Sequence, residues 1–365
     1  MNKKVNVAIL FGGKSAEHEV SLQSAKNVFE AINREKYNVI FIGIDKSGKW
    51  LLNDGSKILL NSENPKLIKL NKNSDPVALV PQSSGKISNL TKDETNLKID
   101  VVFPILHGPF GEDGTVQGLL KLANVPFVGA GVLGSAVGMD KDVMKRLLRD
   151  AKIPIGKFLT IKIEEPIPGF MDIQNTLGIP FFIKPANMGS SIGISKIHNK
   201  KEYSEKLKDA FRYDNKILIE EYIKGREIEC SVLGNENPVA SLPGEVKSSH
   251  EFYSYDAKYI DEKGASLVIP ADIPESKVKE IQELAVKTFK TLECEGLGRV
   301  DFFLKVDGNI YVNEINTIPG FTKISMYPKL WEASGIPYTE LIDRLIQLAL
   351  KRFEKEQKLI NNYFD

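Results

Sequence analysis

The residues best suited to chemistry lie in a predicted hairpin near the C-terminal end of the chain. Two runs rich in β-branched and aromatic residues, 300–306 and 310–315, flank the dipeptide Asp307-Gly308. Asp-Gly between two such runs is a strong signal for a β-hairpin with a two-residue turn. We therefore predict a hairpin here and count its pairing register from that turn. A three-residue turn would break this register.

The predicted register brings two carboxylates face to face. Asp301 lies opposite Glu314 and Arg299 lies opposite Asn316, with all four side chains on one face because strand side chains alternate. Two like charges about 5 Å apart repel by roughly 3 kcal/mol at an effective dielectric constant of about 20. A hard cation would remove this cost, and two carboxylates with an amide oxygen suit Mg²⁺. The alternative is a solvated strand face whose charges point into water.

Glycine-rich segments at the ends of predicted strands supply further candidates. A buried strand over 5–11 leads to Glu17, and another over 100–106 leads to His107. Three glycines follow within residues 107–114, which indicates a tight turn. In α/β sheets, ligands gather beyond the carboxyl ends of the strands. Both side chains therefore lie where a substrate could bind. The alternatives are an exposed loop acid and a structural histidine.

The middle of the chain holds residues suited to a nucleotide. The predicted strand 181–185 contains Lys184 and leads into a Gly/Ser-rich turn over 186–194. The backbone N–H groups and hydroxyls of such a turn could cradle phosphates beside the lysine. Acids at the end of a predicted strand over 216–223 could accept hydrogen bonds from an adenine amine or ribose hydroxyls. A plain flexible hairpin and an exposed acidic rim are the alternatives for these two segments.

Apolar periodicity predicts the elements that position these residues. Helices are predicted over 21–32, 142–151, 275–292 and 338–353. Ser21 is the predicted N-cap of the first helix. Residues 5–44 then form a strand, loop, helix and strand in a βαβ unit. The aromatic segment 245–266 has no clear period and is predicted to be a lid. Residues 46–98 are polar and suggest no function.

Composition indicates an ordinary globular protein. The 365 residues are 42% hydrophobic and carry a formal net charge of +1, so nothing favours nucleic acid or a membrane surface as a partner. Length predicts two or three domains. The two cysteines lack metal-ligand spacing and indicate reduced thiols in a cytoplasmic protein. The N-terminal apolar run is too short for a signal peptide, and no run reaches membrane-spanning length.

Eight motifs taken in chain order resemble the D-alanine–D-alanine ligases of the ATP-grasp superfamily. They are FGGKSAEHEVS, HGPFGEDG, MDKDVMK, KPANMGSSIG, EEYIKGRE, FYSYDAKY, GRVDFF and NEINTIPGFTKIS. The resemblance covers nearly the whole chain, with 46–98 the least certain part. It implies an α/β and α+β fold. A small Rossmann-like N-terminal domain over 1–134 would precede a two-domain ATP-grasp fold, with a central domain over 135–221 and a catalytic domain over 222–365.

The resemblance also implies ligands for individual residues. The residues implied to hold ATP, as a co-substrate, are Lys141, Lys184, Glu220, Ile223, Glu227 and Lys258. The residues implied to hold two Mg²⁺ (or Mn²⁺) ions are Asp301, Glu314 and Asn316, in agreement with the register argument. Glu220 and Glu227 would meet adenine and ribose, with Ile223 near the base. The lysines would meet the phosphates.

A further set of residues is implied at the two amino-acid substrates. The catalytic residues are expected to be Glu17, Ser190, Arg299, Ser325 and Tyr259, and the substrate-binding residues His107 and Gly320. Glu17 would bind the ammonium of the first D-alanine, linked to Ser190 and Tyr259 when the lid closes. Arg299, Gly320 and Ser325 would lie by the second amino acid and the oxyanion.

The implied reaction joins two D-alanines through an acyl phosphate, releasing ADP and phosphate, for peptidoglycan precursor synthesis. The enzyme is expected to be a cytoplasmic homodimer. The nearest alternative joins D-alanine to D-lactate or D-serine, and the lid residue Tyr259 favours dipeptide formation. Another ATP-grasp carboxylate–amine ligase fits the Glu17 loop and the lid less well. A non-catalytic nucleotide sensor would not need Glu17, Arg299 and a lid together.

Overall fold

The computed structural model consists of three main β-sheets with helices packed against them. The residues it describes are 3–53, 59–61, 64, 68–71, 73–92, 97–248 and 265–360. Lys258 and Tyr259, with most of the predicted lid, lie outside this part of the chain. None of the described helices combines the length and the apolar character that crossing a membrane requires.

Strands and helices are numbered here in chain order. The strands are β1 Val5–Gly12, β2 Tyr37–Ile44, β3 Trp50–Asn53, β4 Leu59–Leu60, β5 Lys69–Leu70, β6 Asp75–Leu79, β7 Ile87–Asn89, β8 Val101–Ile105, β9 Phe158–Lys162, β10 Phe181–Pro185, β11 Ser195–Ile197, β12 Lys216–Glu221, β13 Arg226–Gly234, β14 Val239–Ala240, β15 Gly244–Ser248, β16 Ala265–Val268, β17 Gly296–Leu304 and β18 Ile310–Asn316. The helices are α1 His18–Ala31, α2 Thr115–Leu122, α3 Val132–Met139, α4 Lys141–Asp150, α5 Phe170–Leu177, α6 Lys200–Ala210, α7 Glu275–Thr291, α8 Met326–Ala333 and α9 Tyr338–Glu356.

The first sheet has the strand order β7-β6-β3-β2-β1-β8, and β1 runs parallel to both of its neighbours. The side chains of β1 are buried on both faces, as its continuous apolar run predicts. Ile9 packs with residues of α1 and α9, whereas Leu10 packs with residues of α2. The predicted βαβ unit is confirmed. Its strand ends meet at one edge, where Glu17 and His107 follow β1 and β8.

The first helix begins at His18, with Glu17 as its N-cap residue. The prediction that Ser21 caps this helix is wrong, because Ser21 lies inside it and is fully buried. The Ser21 hydroxyl accepts a hydrogen bond of 2.7 Å from the Gly12 N–H and donates one to the carbonyl of Ile105. Ser21 therefore ties the helix to the ends of both strands that lead into the candidate loops.

Two antiparallel sheets follow in the chain. The smaller has the order β11-β10-β12-β9, and the larger has the order β16-β15-β13-β17-β18 with β14 beside β13. Asp140 caps α4 by accepting a hydrogen bond of 3.1 Å from the Val143 N–H, and this capped start places Lys141 in the first turn. The three sheets agree with the predicted fold class, while the domain boundaries after residues 134 and 221 remain predictions.

The hairpin turn between β17 and β18 differs from the prediction. Lys305 N–H donates to Asn309 O at 2.9 Å, and Gly308 N–H donates to Lys305 O at 3.0 Å. The turn therefore has three residues rather than two. Gly308 adopts a left-handed φ of 83°, which suits glycine in such a turn. As a result, the strand pairing next to the turn is shifted by one residue from the predicted register.

A β-bulge restores the predicted register at the candidate metal residues. The pairing shifts between Asp301 and Phe302, so that one extra residue of β18, Asn313, is accommodated. Beyond the bulge, Asp301 lies opposite Glu314 and Arg299 opposite Asn316, as predicted. The predicted pairs are confirmed even though the predicted turn is wrong, because the bulge offsets the longer turn.

The C-terminal helix α9 packs against the first sheet and its loops. The buried Arg352 of α9 donates hydrogen bonds to the carbonyls of Phe127, at 2.8 Å, and Gly129, at 2.5 Å. The rings of Phe103 in β8 and Phe321, in the loop after β18, lie 5.7 Å apart between centroids. The loop that follows the hairpin is thereby held against the N-terminal sheet.

Candidate active site

Glu17 lies at the edge of the first sheet, at the start of α1, and is 7% exposed. Its Oε1 accepts a hydrogen bond from the hydroxyl of Ser190, which belongs to the Gly/Ser-rich turn after β10. Ser190 has a left-handed φ of 50° and Ser191 one of 61°, a conformation that lets the turn bend over the N-terminal loop. The structure therefore brings these two sequence-predicted residues together.

His107 is a buried side chain that contacts the loop after β18. Its Nδ1 lies 3.0 Å from the carbonyl oxygen of Ile318, and its Nε2 lies 3.4 Å from Ser24 Oγ. A carbonyl only accepts, so Nδ1 carries the hydrogen. Burial lowers the pKa of His107, although the Glu17 carboxylate opposes this shift, and the ring is neutral. These contacts favour a positioning role over direct substrate contact.

Glu112 is a buried acid to which the sequence analysis gave no role. Its two carboxylate oxygens accept hydrogen bonds from the Gly108 N–H at 2.7 Å and from the Ile318 N–H at 3.1 Å. Burial and the nearby Glu17 carboxylate raise its pKa from the ordinary 4.5 to about 8, against the opposing effects of the two N–H donors and Arg299. Glu112 and His107 thus hold both backbone polar groups of Ile318. The only signal in the sequence was an acid within the turn 107–114.

Gly320 and Ser325 lie in the same loop after β18. Ser325 Oγ is 2.8 Å from Thr322 Oγ1 and accepts a hydrogen bond of 3.1 Å from the Thr322 N–H. A Cβ atom at Gly320 would lie only 3.0 Å from Ser325 Oγ, so a side chain there would crowd the hydroxyl. The carbonyl of Phe321 accepts a hydrogen bond of 2.5 Å from Tyr338. The loop is therefore fixed on both sides of Gly320.

The candidate metal residues lie on one face of the third sheet, but the protein's own cations already compensate them. Arg299 contacts both oxygens of Asp301, with Nε–Oδ1 at 2.7 Å and Nη2–Oδ2 at 2.8 Å. Asn316 Nδ2 also donates to Asp301 Oδ2 at 3.0 Å. Glu314 Oε2 lies 3.8 Å from Lys141 Nζ. The argument that the facing acids need a divalent ion to coexist is therefore wrong as stated.

Basic side chains surround a buried acid near the proposed adenine position. Glu220 Oε2 lies 2.7 Å from Lys184 Nζ, and Glu220 Oε1 lies 3.4 Å from Lys145 Nζ. Burial alone would raise the pKa of Glu220, but the two lysines outweigh it and lower the pKa to about 2. Burial lowers the pKa of Lys145. The sequence analysis missed Lys145, whose helical spacing from Lys141 was its only signal.

The second and third sheets are linked at the bulge of β18, beside the candidate ATP-binding lysines. Lys184 Nζ donates a hydrogen bond of 3.3 Å to Asn313 Oδ1, which joins the second sheet to the third. Lys141 Nζ donates to the carbonyl of Met188 at 2.7 Å, in the Gly/Ser-rich turn. The two predicted phosphate-binding lysines therefore lie in one region and make protein contacts in this structure.

Other predicted ATP residues lie at the rim of this region. Ile223 follows β12 and approaches Gly156, where a Cβ atom would lie 3.0 Å from Ile223 Cδ1. Glu227 lies in β13 opposite Phe303 of β17, and its charge reaches Lys184, where it helps to raise the lysine pKa. Both side chains are partly exposed. Lys258 and Tyr259 lie outside the described residues.

One cavity lies between Glu112, in the loop after β8, and strand β18 of the hairpin. It is lined by residues that include Glu112, Lys141, Met188, Glu314 and Asn316. Within the described part of the chain, no group of three or more His, Cys, Asp or Glu side chains is arranged to hold a metal ion. The assignment of Asp301, Glu314 and Asn316 as metal ligands therefore remains a prediction.

Comparison with known proteins places this geometry among ligases. The family model for the D-ala D-ala ligase N-terminus matches residues 6–130, and that for the C-terminus matches residues 147–347. The chain is 54% identical to the D-alanine–D-alanine ligase of Oceanobacillus iheyensis, over 99% of this chain and 100% of that protein.

Two solved structures have closely similar folds. The D-alanine–D-alanine ligase of Coxiella burnetii superposes with a TM-score of 0.85 at 38% identity, over 97% of this chain and 96% of that one. The VanG D-Ala:D-Ser ligase of Enterococcus faecalis gives a TM-score of 0.84 at 39% identity, over 95% of this chain and 100% of that one.

Proposed function

This chain belongs to the D-alanine–D-alanine ligase family, and we propose from that premise how its residues share the work of joining two D-alanine molecules. The reaction is an ATP-dependent, ADP-forming ligation for peptidoglycan precursor synthesis. The observation that supports the residue assignment most directly is the meeting of Glu17 and Ser190 across 173 residues of sequence. That contact puts the amino-acid pocket and the phosphate-binding turn side by side.

The first D-alanine binds at Glu17. A buried carboxylate is a suitable partner for an ammonium group, since a charge-assisted hydrogen bond is strong away from water. Ser190, already hydrogen-bonded to Glu17, fixes the carboxylate orientation. His107 and Glu112 act one layer further out. They hold the Ile318 peptide and therefore the loop that contains Gly320.

ATP binds between the second and third sheets. Glu220 and Glu227 lie where they can accept hydrogen bonds from the adenine amine and the ribose hydroxyls. Ile223 lies where it can cover the base. Lys141 and Lys184 approach the phosphates from the side of the Gly/Ser-rich turn, and Lys258 completes the set. Because Lys184 pairs with Glu220 in this structure, nucleotide binding exchanges part of that protein contact for contacts to phosphate.

Two Mg²⁺ or Mn²⁺ ions would be held by Asp301, Glu314 and Asn316. The all-oxygen donor set fits these hard cations, and the three side chains share one face of the sheet. When bound, the ions neutralise charge on the transferring phosphoryl group. Arg299 would have to share the oxygens of Asp301 with the ions, and Asn316 would have to turn its amide oxygen toward them.

The chemistry proceeds in two displacements. The carboxylate of the first D-alanine attacks the γ-phosphorus, the bond to ADP breaks, and an acyl phosphate forms. The neutral amine of the second D-alanine then attacks the acyl carbon, the C–O bond to phosphate breaks, and the proton lost by the nitrogen leaves on the phosphate. Arg299 and the Gly320 N–H stabilise the oxyanion of the tetrahedral intermediate, a contribution of about 3 kcal/mol for one such donor. Ser325 lies beside the second amino acid.

Cytoplasmic location and a homodimer are also part of the proposal. Analytical ultracentrifugation of the full chain tests the dimer, and fractionation of the producing cells tests the location. A monomer at micromolar concentration would contradict the first, and recovery with the membrane fraction would contradict the second.

The decisive experiment identifies the product. The protein is incubated with ATP, Mg²⁺ and equimolar D-alanine, D-serine and D-lactate at neutral pH, and products are resolved by mass spectrometry. D-alanyl-D-alanine is expected to dominate. The similarity to the D-Ala:D-Ser ligase makes D-alanyl-D-serine the alternative that most needs testing. Predominant D-alanyl-D-lactate or D-alanyl-D-serine would contradict the proposal.

A second measurement addresses the possibility of a non-catalytic sensor. Phosphate release is followed with ATP, Mg²⁺ and D-alanine alone, using Glu17→Gln as the matched inactive variant and Glu19→Gln as a control at a partly exposed acid in the first turn of α1. Phosphate release from the wild type and the control, but not from Glu17→Gln, is expected. Nucleotide binding without any phosphate release would favour the sensor.

A further inference from the structure

Arg299 lies between two carboxylates that belong to different strands. Its Nε is 2.7 Å from Asp301 Oδ1 in β17 and 2.8 Å from Glu229 Oε2 in β13. The three side chains are 11% to 16% exposed, so the cluster is largely shielded from water. Glu229 has no role in the ligation as described so far. Its distance from the guanidinium nevertheless matches that of Asp301.

The strand register explains why three acids gather here. Asp301 lies directly opposite Glu229 on one side and directly opposite Glu314 on the other. Like charges in directly opposite positions destabilise a sheet unless they are compensated. Arg299 lies opposite Ser231, two residues from Asp301 on the same face, and so can reach between Glu229 and Asp301. A row of carboxylates across three strands thus shares this guanidinium.

A metal ion bound at Asp301 would compete with the protein for the carboxylate. Both of its oxygens contact Arg299, and one of them also accepts a hydrogen bond from Asn316. Coordination weakens the pairing with the guanidinium, because the oxygens are then shared with a divalent cation. A buried guanidinium beside divalent cations, without another carboxylate, would be strongly repelled and poorly solvated. A second anchor is therefore needed if Arg299 is to stay at the reaction centre.

We propose that Glu229 is that anchor: a positioning residue that holds Arg299 in place while Asp301 coordinates the metal ions. This inference rests on the proposed function, because it takes Asp301 as a metal ligand and Arg299 as an oxyanion donor. Glu229 acts on the reaction through Arg299 and does not itself touch the substrates. It also makes metal binding more favourable, because the guanidinium keeps a partner when Asp301 changes its own.

The test measures metal binding rather than turnover. Mg²⁺ is titrated by calorimetry into the protein saturated with a non-hydrolysable ATP analogue. Glu229→Gln is expected to weaken Mg²⁺ binding about 10- to 100-fold, as loss of a residue that supports a metal ligand does. Glu229→Asp should recover part of the affinity. Glu295→Gln is the matched control, since Glu295 pairs with another buried arginine, Arg352, at 3.3 Å outside the site.

A double-mutant cycle separates positioning from a simple loss of negative charge. If Glu229 acts through Arg299, Glu229→Gln should change Mg²⁺ affinity less than about twofold in an Arg299→Met background. Arg299→Lys serves as a second background, and circular dichroism checks that each variant folds. If Glu229→Gln weakens Mg²⁺ binding in both backgrounds as much as it does in the otherwise wild-type protein, the proposal is overturned. Wild-type Mg²⁺ affinity in Glu229→Gln would overturn it as well.

Kinetics give a further readout that a purely structural role would not produce. With metal saturating, Glu229→Gln should lower kcat about tenfold or more while leaving the KM for ATP within about twofold, because only the oxyanion donor is displaced. A rise in the KM for ATP as large as the fall in kcat would contradict the proposal. So would a kcat like that of the wild type. If the wild type binds Mg²⁺ but forms no dipeptide, the proposed function fails while the binding cycle still tests the anchor.

Discussion

Two buried charge clusters of the candidate active site differ in the sign of their excess charge. Around Glu220, two lysines, Lys145 and Lys184, compensate one carboxylate. Around Arg299, two carboxylates, Glu229 and Asp301, compensate one guanidinium. Excess buried charge is costly unless a partner arrives. The lysine-rich cluster therefore suits the phosphates of ATP, and the acid-rich cluster suits divalent cations.

The clusters are also coupled by position. Lys184 of the first reaches Asn313, the bulged residue of β18, and the next residue along the strand is Glu314, which lies opposite Asp301 of the second. A nucleotide that draws Lys184 toward its phosphates would thus act on the strand that contains a proposed metal ligand. The comparison shows how one sheet junction can bind opposite charges at adjacent positions.

Removing a proposed metal ligand should have the largest effect. Glu314→Gln removes the carboxylate that lies opposite Asp301 of the acid-rich cluster, and turnover should fall on the order of 10²- to 10³-fold or more, as loss of a key electrostatic contact does. Stability should change little, because the repulsion from Asp301 is relieved while the contact with Lys141, at 3.8 Å, is long. Phosphate release and urea unfolding measure the two effects. Near-normal turnover would remove Glu314 from the metal role.

Removing a cation from the lysine-rich cluster should mainly affect stability. Lys145→Met leaves Glu220 with one lysine in a buried place, and we expect a loss of about 3 kcal/mol in the free energy of unfolding. Lys92→Met is the matched control. Its ion pair with Asp75 is solvent-exposed, and its loss should affect stability far less. If urea unfolding shows the same loss of free energy of unfolding for both substitutions, burial of the ion pair does not determine its contribution to stability.

Glu112 is a third kind of buried charge site, because its carboxyl group is held mainly by N–H groups rather than by a cation. Its pKa is raised to about 8 in the folded protein, above the ordinary 4.5. The protonated Glu112 carboxyl therefore contributes its full stabilisation at pH values below the ordinary pKa. This stabilisation is lost as the pH rises through the pKa that Glu112 has in the folded protein. Between about pH 6.5 and about pH 8 the wild type should lose about 2 kcal/mol relative to Glu112→Gln.

Urea unfolding of both proteins across this pH range measures the difference. The Gln variant is the control for the ionisation, since it keeps the shape of the side chain without its titration. Parallel pH profiles for wild type and variant would show that Glu112 does not ionise with a raised pKa.

Local sequence patterns predicted the fold and much of the site for identifiable reasons. Buried strands, amphipathic helices and the Asp-Gly turn depend on neighbouring residues, so they could be predicted without a structure. The facing pair Asp301 and Glu314 was predicted because a short turn links their strands. The length of that turn was not, since Asp-Gly fits two- and three-residue turns, and the bulge at Asn313 has no comparable sequence signal.

The partners that neutralise the site could not be predicted in the same way. Glu229 and Asp301 lie in strands separated by more than sixty residues of chain, so no turn fixes their register. Lys145 and Glu220 belong to different elements, α4 and β12, that meet only when the second sheet packs. Ser21 was assigned to a helix start because serine favours that position, yet it is used inside the helix to hold two strand ends.

The bulge in β18 also separates the candidate metal residues from the turn at residues 306–308, so their pairing does not depend on the length of that turn. Lys305 and Asn309 already pair across the turn, and Val306 between them is fully exposed. A chain shortened by that one residue could close the same pair with Asp307 and Gly308 alone, and every pair closer to the site would stay in place. Loop length and metal geometry can therefore be engineered, or can diverge, separately.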